Sequence, residues 1–495
     1  MSFLLPDRDI LPRYAVIAGA EKSERGQGPT LAHIYPANGQ VTCEITLGDA
    51  QDVDRAVRAA RAALPGWRAL TGDKRRDMLS RMAALIERHT AELAALATLE
   101  NGSPSMMAPF FAVDAVQKFR YFAGWADKIR GETIATWGAP AHNYVNYEPY
   151  GVVGAIIPWN GPIIALTMAT TAALAAGNCV VAKAPELAPF TTMRLAELFL
   201  EAGFPPGVFN MVVGGPDVGE AMVAHPGIDK IQFVGSGSTA RKVLRTAADH
   251  LKPCGLELGG KSAVIVFADA DLKEAGRRGL SGAISVSGQG CVNGTRLLVE
   301  RSIYEPYLGM LQAMAPHFKI GDPLDKTTVM GPVISDASAN RIAAIIEQAK
   351  GEGARIVTGG ARLGGEFADG FYLPLTVIAD VDHDSSLAQH EVFGPVLSVT
   401  PFDDEDEAIA LANATEYGLG AYIHTQNLRR AHHVASRMQA GMVQVNASGE
   451  GMQPNVPFGG MKQSGYGRLG GEQAMKEFLQ VKNVFINIAA PPASA

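Results

Sequence analysis

Between residues 152 and 266, short apolar runs (152–157, 179–182, 208–213, 231–234) alternate with segments whose apolar residues recur at helical spacing (163–176, 191–201, 218–224, 241–251). This rhythm constrains the fold most: parallel strands need long crossovers, and helical crossovers cover both faces of the sheet they connect. A second alternation, with strand candidates at 263–267, 296–299, 356–358, Val377, 396–399 and 442–445, predicts another α/β unit. From 50 to 100, Val53, Ala56, Val57 and Ala60, then Met78, Met82, Leu85 and Ile86, fall at helical spacing and predict two amphipathic helices. The polar alternation at 142–147 reads as an exposed strand. Residues 481–488 read as a second, and neither has a partner within the two α/β units. Unpaired edges of this kind are often closed by another subunit.

Between Glu148 and Lys183 lie 34 residues without a charge, more than the roughly 20 needed to cross a bilayer. Gly151, Gly154, Pro158, Gly161 and Pro162 break the run into a strand, a loop and a buried helix, so no membrane span is expected. The 43 Lys plus Arg against 50 Asp plus Glu leave no basic excess for nucleic acid. At about 150 residues per domain, 495 residues allow about three domains. Four cysteines with no CxxC pair fit a reducing cytoplasm rather than a disulfide framework or zinc finger. Residues 1–14, with Asp7, Arg8 and Asp9, lack the basic head and long apolar segment of a signal peptide. The eleven histidines show no metal-binding spacing, so no metal is expected. Glycine stands out: 54 residues, against about 7% of an average chain. Such a surplus serves tight turns and close backbone approaches, which phosphate-binding α/β enzymes need.

Two stretches match the G-x-G-x-x-G/A dinucleotide fingerprint. Gly465-x-Gly467-x-x-Gly470 follows polar residues rather than a strand and reads as a loop. Gly235-x-Gly237-x-x-Ala240 follows the strand 231–234 and opens a helix, where free N–H groups suit a pyrophosphate; an ordinary glycine turn is the alternative. The fingerprint seeks an acidic ribose partner about 20 residues on, and Glu257 stands 22 after Gly235. Glu186, in Lys183-Ala184-Pro185-Glu186 after the strand 179–182, is either a surface partner of Lys183 or a ribose ligand at a strand's carboxyl end. Cys179 reads as core, and Cys43 and Cys254 lack distinguishing context. Cys291 follows Ser287-Gly288-Gln289-Gly290 beyond a helix over 273–285, among small residues that leave its sulfur accessible. An accessible thiol that ionises is a nucleophile.

Six ordered motifs then carry a resemblance: Pro158-Trp159-Asn160, Phe233-x-Gly235-Ser236, Glu257-Leu258-Gly259-Gly260-Lys261, Gly288-Gln289-Gly290-Cys291, Glu391-Val392-Phe393-Gly394-Pro395 and Pro457-Phe458-Gly459-Gly460-x-Lys462-x-Ser464-Gly465. With these the chain resembles the aldehyde dehydrogenase superfamily over essentially its whole length. The resemblance implies an α/β fold with a Rossmann-type NAD-binding domain (1–126 and 149–257), an α/β catalytic domain (258–470) and a small β oligomerisation element (127–148 and 471–495) building homodimers or homotetramers. It implies Cys291 as nucleophile, Glu257 as general base, and the Asn160 amide with the Cys291 backbone N–H as oxyanion hole. Lys183 and Glu186 become the ribose contacts, Ser236 the pyrophosphate contact, and Glu391 with Phe393 the nicotinamide-side contacts. Ile156, Pro158, Trp159, Gly215, Gly235 and Leu258 complete the cofactor set. Glu257 is thereby reassigned from ribose partner to base.

The implied reaction is oxidation of an aldehyde to the acid through a thiohemiacetal and a thioester on Cys291, with NAD (NADP remaining possible) as cofactor. The expected substrate tunnel comprises Gly161, Ala165, Met168, Ser285, Gly290, Val292 and Phe458. Gly161, Ala165 and Ser285 stand where larger side chains are common, implying a wide tunnel for a bulky apolar or aromatic aldehyde. The absence of Arg or Lys from 160–182 weakens a semialdehyde as substrate. Val286, Leu469 and Ala240 replace a frequent Asn, Glu and Gly and read as tolerated packing changes. A CoA-acylating enzyme of the same fold, a thiol hydrolase and a binding protein without activity are the alternatives.

Overall fold

The computed structural model describes residues 9–138, 140–449 and 451–489. The ends of the expected first and last segments, 1–8 and 490–495, lie outside the described residues. The 152–266 rhythm folds into a sheet in the spatial order Glu21–Ser23, Val16–Ala18, Phe209–Gly214, Cys179–Pro185, Val152–Ile156, Lys230–Val234, Cys254–Glu257, Gly465–Tyr466. Its five central strands are parallel, and the outer pairs at either side are antiparallel. Chain order reverses between Val152–Ile156 and Lys230–Val234, so a crevice opens there at the carboxyl ends of the strands, where such sheets take ligands.

The uncharged run resolves as expected. Strand Val152–Ile156 is fully buried, helix Pro162–Ala176 starts on a proline and stops at left-handed Gly177, and strand Cys179–Pro185 follows. Among the described residues no helix is long and apolar enough to cross a membrane. Helix Gly237–Ala248 starts and ends earlier than the apolar spacing predicts. The expectation of two helices over 50–100 needs correction: Ala50–Ala69, Gly72–Arg88 and Thr90–Asn101 are three. The third is buried from Leu96 through Asn101 without interruption, so it has no polar face for periodicity to reveal.

The second alternation builds a seven-stranded sheet, Arg355–Thr358, Thr376–Ala379, Val396–Phe402, Gly294–Glu300, Ser262–Val266, Gly420–His424, Met442–Val445, parallel apart from its first pair. Successive side chains alternate between two cores. Val264, Val266, Leu297 and Val299 pack beneath helices Leu272–Ile284 and Tyr304–Met314. Ala263, Ile265 and Leu298 pack against Ala408, Ile409 and Val434 on the opposite face. The two exposed strands pair with each other, Ala141–Pro149 against Leu479–Asn487, from Leu479 opposite Pro149 to Asn487 opposite Ala141.

Asn178 ties this third sheet to the first. It is fully buried, accepts from the Gly151 N–H at 3.0 Å, and donates at 3.0 Å to the carbonyls of Ala173 and Phe478. Asn178→Ala strands these buried groups and is expected to cost about 1–3 kcal/mol, read as a lower apparent Tm; an unchanged Tm would remove Asn178 from this role.

Candidate active site

The carboxyl ends of the first sheet's strands carry most of the residues singled out by sequence. After Val152–Ile156 comes Pro158-Trp159-Asn160. The Asn160 amide donates to the Gln289 carbonyl at 2.7 Å, joining this loop to the one that bears Cys291. A primary amide has two N–H groups, and this bond takes one. Trp159 meets Phe393 edge-on, ring centroids 5.4 Å apart and 85° between planes, so two residues from distant motifs form one wall.

Glu257 ends strand Cys254–Glu257 and is buried, with Oε2 lacking a hydrogen-bond partner. Burial pushes its carboxyl well above the ordinary range, the nearby Arg468 guanidinium opposes the shift, and Glu477 adds to it. Ser464 holds the chain as it leaves Glu257. Its hydroxyl donates to the Gly259 carbonyl at 2.8 Å and accepts from the Gly418 N–H at 3.0 Å, and its carbonyl takes the Leu258 N–H at 3.1 Å. A side-chain carbon on Gly260 would stand 2.8 Å from the Cys291 carbonyl, so only a glycine lets the segments after Glu257 and around Cys291 approach this closely. Glu391 lies against the same segment, accepting from the Gly260 N–H at 3.0 Å.

Cys291 sits between helix Leu272–Ile284 and strand Gly294–Glu300, half-buried. Burial pushes its thiol up to about 12, and the Glu391 and Glu257 charges add to the shift. The backbone N–H groups of Cys291 and Val292 act in the opposite sense and favour the thiolate. Cys179 is deep in the core and also raised, by burial, to about 12. Cys254 is buried on its strand, and Cys43 is half-buried.

At the crevice, Lys183 donates to the Glu186 carboxylate at 3.2 Å and to the Gly214 carbonyl. Gly215 caps helix Pro216–Ala224, and Gly219 of that helix lies beside Lys183 and Ile156. Ser236 caps helix Gly237–Ala248, and Ser236, Ser238 and Thr239 are exposed. The Gly235 N–H is bonded to the Glu257 carbonyl at 3.0 Å. An open helix N-terminus on the same carboxyl edge of the sheet as a carboxylate–ammonium pair, with one strand between them, fits the phosphates and ribose of a dinucleotide. Of the residues expected to line a tunnel, Ser285 is exposed, and Gly161, Met168, Gly290, Val292 and Phe458 are partly accessible. Ala165 is buried.

Sequence reading missed what braces the nucleophile. Val286, Ser287 and Gly288 all have positive φ (52°, 54° and 78°). A Cβ on Gly288 would stand 2.1 Å from the Gly394 carbonyl carbon, so the Glu391–Pro395 motif supports this turn. Gln289 Oε1 accepts from the Ile334 N–H at 2.9 Å, and the Ser287 hydroxyl donates to the Gly331 carbonyl at 2.9 Å. Val286 is therefore not a tolerated packing change: a β-branched residue in left-handed geometry is strained by about 1–2 kcal/mol. Val286→Asn, which accepts that geometry, is expected to stabilise the protein by about 1 kcal/mol, read as a higher apparent Tm; a lower Tm would refute the strain.

A sequence profile of the aldehyde dehydrogenase family matches residues 23–484. An aldehyde dehydrogenase of Emericella nidulans is 41% identical over 92% of each chain. Human retinal dehydrogenase 2 is 40% identical over 92% of this chain and 88% of its own. The crystal structure of betaine aldehyde dehydrogenase from Staphylococcus aureus in complex with NAD+ superposes with a TM-score of 0.95 at 35% identity, covering 98% of this chain and 96% of that one. Fold, motif order and these matches agree, and the chain belongs to the aldehyde dehydrogenase family.

Proposed function

We propose that the protein is an NAD-preferring, non-acylating dehydrogenase that oxidises a bulky apolar or aromatic aldehyde to the carboxylic acid. The observation that carries this reading is the meeting of one thiol, one buried carboxyl and one anchored amide, Cys291, Glu257 and Asn160, at the carboxyl edge of the first sheet. A bound NAD supplies the acceptor for the aldehyde hydrogen. Lys183 and Glu186 would hold its ribose, Ser236 its pyrophosphate, and Glu391 with Phe393 the nicotinamide side, with Ile156, Pro158, Trp159, Gly215, Gly235 and Leu258 completing the surface. The segments 1–126 and 149–257 bind the cofactor, and 258–470 carry the chemistry.

An aldehyde carbon releases hydride only once it is tetrahedral. The Cys291 thiolate adds first, and the carbonyl electron pair moves onto oxygen, which is held by the second Asn160 N–H and the Cys291 backbone N–H. Collapse reforms the carbonyl as hydrogen departs with its electron pair, leaving a thioester on Cys291. Water attacks the thioester, Glu257 takes its proton, the thiolate leaves, and the acid is released. Burial of Glu257 serves this step, since a base with a raised pKa accepts a proton more readily near neutral pH. The small residues Gly161, Ala165 and Ser285 leave room for a wide substrate, and Met168 and Phe458 keep it apolar.

Assembly as a homodimer or homotetramer runs through strands Ala141–Pro149 and Leu479–Asn487; exposed Val481, Phe485, Ile486 and Ile488 support this. Four cysteines with no CxxC pair among them fit a reducing cytoplasm.

Glu257→Gln is expected to retain a single burst of NADH equal to the number of sites, while steady-state turnover falls about 10²–10⁴-fold. A full steady-state rate would remove Glu257 from the mechanism. In the native enzyme, turnover limited by hydrolysis should rise with pH through a limb above the ordinary carboxyl range, because the protonated base is inactive. Cofactor preference rests on the Glu186 carboxylate, which repels a 2′-phosphate. Glu186→Gln should raise kcat/KM for NADP relative to NAD by about tenfold, the effect of some 1.4 kcal/mol of lost repulsion; an unchanged ratio would place the preference elsewhere.

A further inference from the structure

The segment that pairs with the Glu257 strand turns back on itself and is tied twice at its neck. Phe458 and Leu469 exchange both backbone bonds, at 2.5 and 2.7 Å. Arg468 makes the second tie, its Nη1 donating to the Gly460 carbonyl at 2.9 Å and to the Gly467 carbonyl at 2.7 Å. Between these ties, Ser464 holds the chain after Glu257 and Gly465 stands opposite Glu257 in the sheet. One short loop therefore sets both where the Glu257 strand ends and where the Arg468 guanidinium stands.

Gly459 lies between the two side chains. A Cβ there would be 2.8 Å from Glu257 Oε1 and 3.0 Å from Arg468 Cδ, so the carboxyl and the arginine stem close on the same point. Glu257 Oε2 is buried without a partner, while Arg468 Nε and Nη2 make no hydrogen bond among the described residues. The cation thus has unused donors near an oxygen that lacks one. An opposing charge stands beyond Gly467. A Cβ on that residue would be 3.1 Å from the Glu477 carboxylate, which accepts from Lys230 Nζ at 2.8 Å. Arg468 favours the charged form of Glu257, and Glu477 favours the neutral one. The other titratable groups around Glu257 are the Cys291 thiol, the Glu391 carboxyl beside Gly259 and the Tyr466 phenol on the neighbouring strand, each pushed up chiefly by burial. None of these is a cation, and Lys230 is taken by Glu477.

We propose that Arg468 is a positioning residue of the hydrolytic step, its guanidinium keeping Glu257 in the carboxylate form that takes a proton from the attacking water, with the Glu477–Lys230 pair as counterweight. The proposal rests on the reading of Glu257 as general base and adds what sets its working range. Burial favours the protonated carboxyl, which cannot accept a proton, and a fixed cation nearby offsets part of that preference. Because the arginine is anchored by the same loop that pairs with Glu257, its field is in place before the reaction begins.

The test uses 4-nitrophenyl acetate, which acylates a thiol without cofactor: a burst of 4-nitrophenolate reports acetylation of Cys291, and the linear phase that follows reports hydrolysis of the acetyl thioester. In the native enzyme the linear phase is expected to rise with pH through a limb that Glu257→Gln lacks. Arg468→Gln should move this limb up by about one pH unit, so that hydrolysis on its acid side falls about tenfold, and Arg468→Lys should return it most of the way. Glu477→Gln should move the limb down, since it removes an anion and leaves the Lys230 charge unopposed. Opposite displacements by two residues of one loop are an outcome that mere loosening of the loop does not produce. A limb that stays in place in Arg468→Gln, or a loss of rate uniform across pH, would overturn the proposal. If Glu257→Gln loses the limb and Arg468→Gln keeps it unmoved, the proposal falls alone. If Glu257→Gln hydrolyses the thioester at the native rate throughout, the reading of Glu257 as base falls and takes the proposal with it.

Discussion

Two loops from two separate sheets have to meet within hydrogen-bond distance, and the bond from the Asn160 amide to the Gln289 carbonyl is where they do. One loop ends a strand of the first sheet, and the other precedes a strand of the second. Neither sheet alone places a thiol beside a carboxyl. The junction tolerates almost no bulk. Gly260 lies against the Cys291 carbonyl and Gly288 against the backbone of Gly394, so the Cys291 loop is fixed by main chain on two sides. Contacts between main-chain segments hold positions to fractions of an ångström, which reacting groups require.

Negative charge is the second organising quantity. Glu257, Glu391 and Cys291 are gathered at this junction, and each is pushed toward its neutral form chiefly by burial. The site does not readily hold three anions together. The Gly260 N–H, Lys261 and Arg341 favour the Glu391 carboxylate, Arg468 favours that of Glu257, and two backbone N–H groups favour the thiolate. Strongly shifted groups gathered in this way mark a candidate site for acid–base chemistry.

Much of this was legible in the sequence. The alternation of apolar runs found most strands of both sheets that are rich in Val and Ile, though not Val16–Ala18, and the ordered motifs singled out Cys291, Glu257 and Asn160. Strand Cys254–Glu257 escaped because Cys, Gly and Glu carry little strand preference; it is a strand because Lys230–Val234 pairs with it in parallel. Strand Gly420–His424 opens on a glycine and has one β-branched residue, and its place is set by Ser262–Val266 and Met442–Val445 on either side. Sequence periodicity reports local burial and does not report such neighbours. For the same reason Ser464 could be quoted as part of a motif without a role. Its three bonds reach Gly259, Gly418 and Leu258, which are adjacent only after folding. The strain at Val286 is likewise a property of φ, on which residue type gives only a preference.

Strand Gly465–Tyr466 lies beside the base-bearing strand, pairing Gly465 with Glu257 and Tyr466 with Leu256. A segment more than 200 residues later in the chain thus completes the edge of a sheet begun near residue 16. During synthesis from the N-terminus, the crevice suited to a dinucleotide is encoded long before the edge that secures Glu257. The residues proposed to hold the ribose and pyrophosphate are therefore synthesised well before the strand that pairs with Glu257. A chain that stopped short of this strand would leave the Glu257 strand without its antiparallel neighbour.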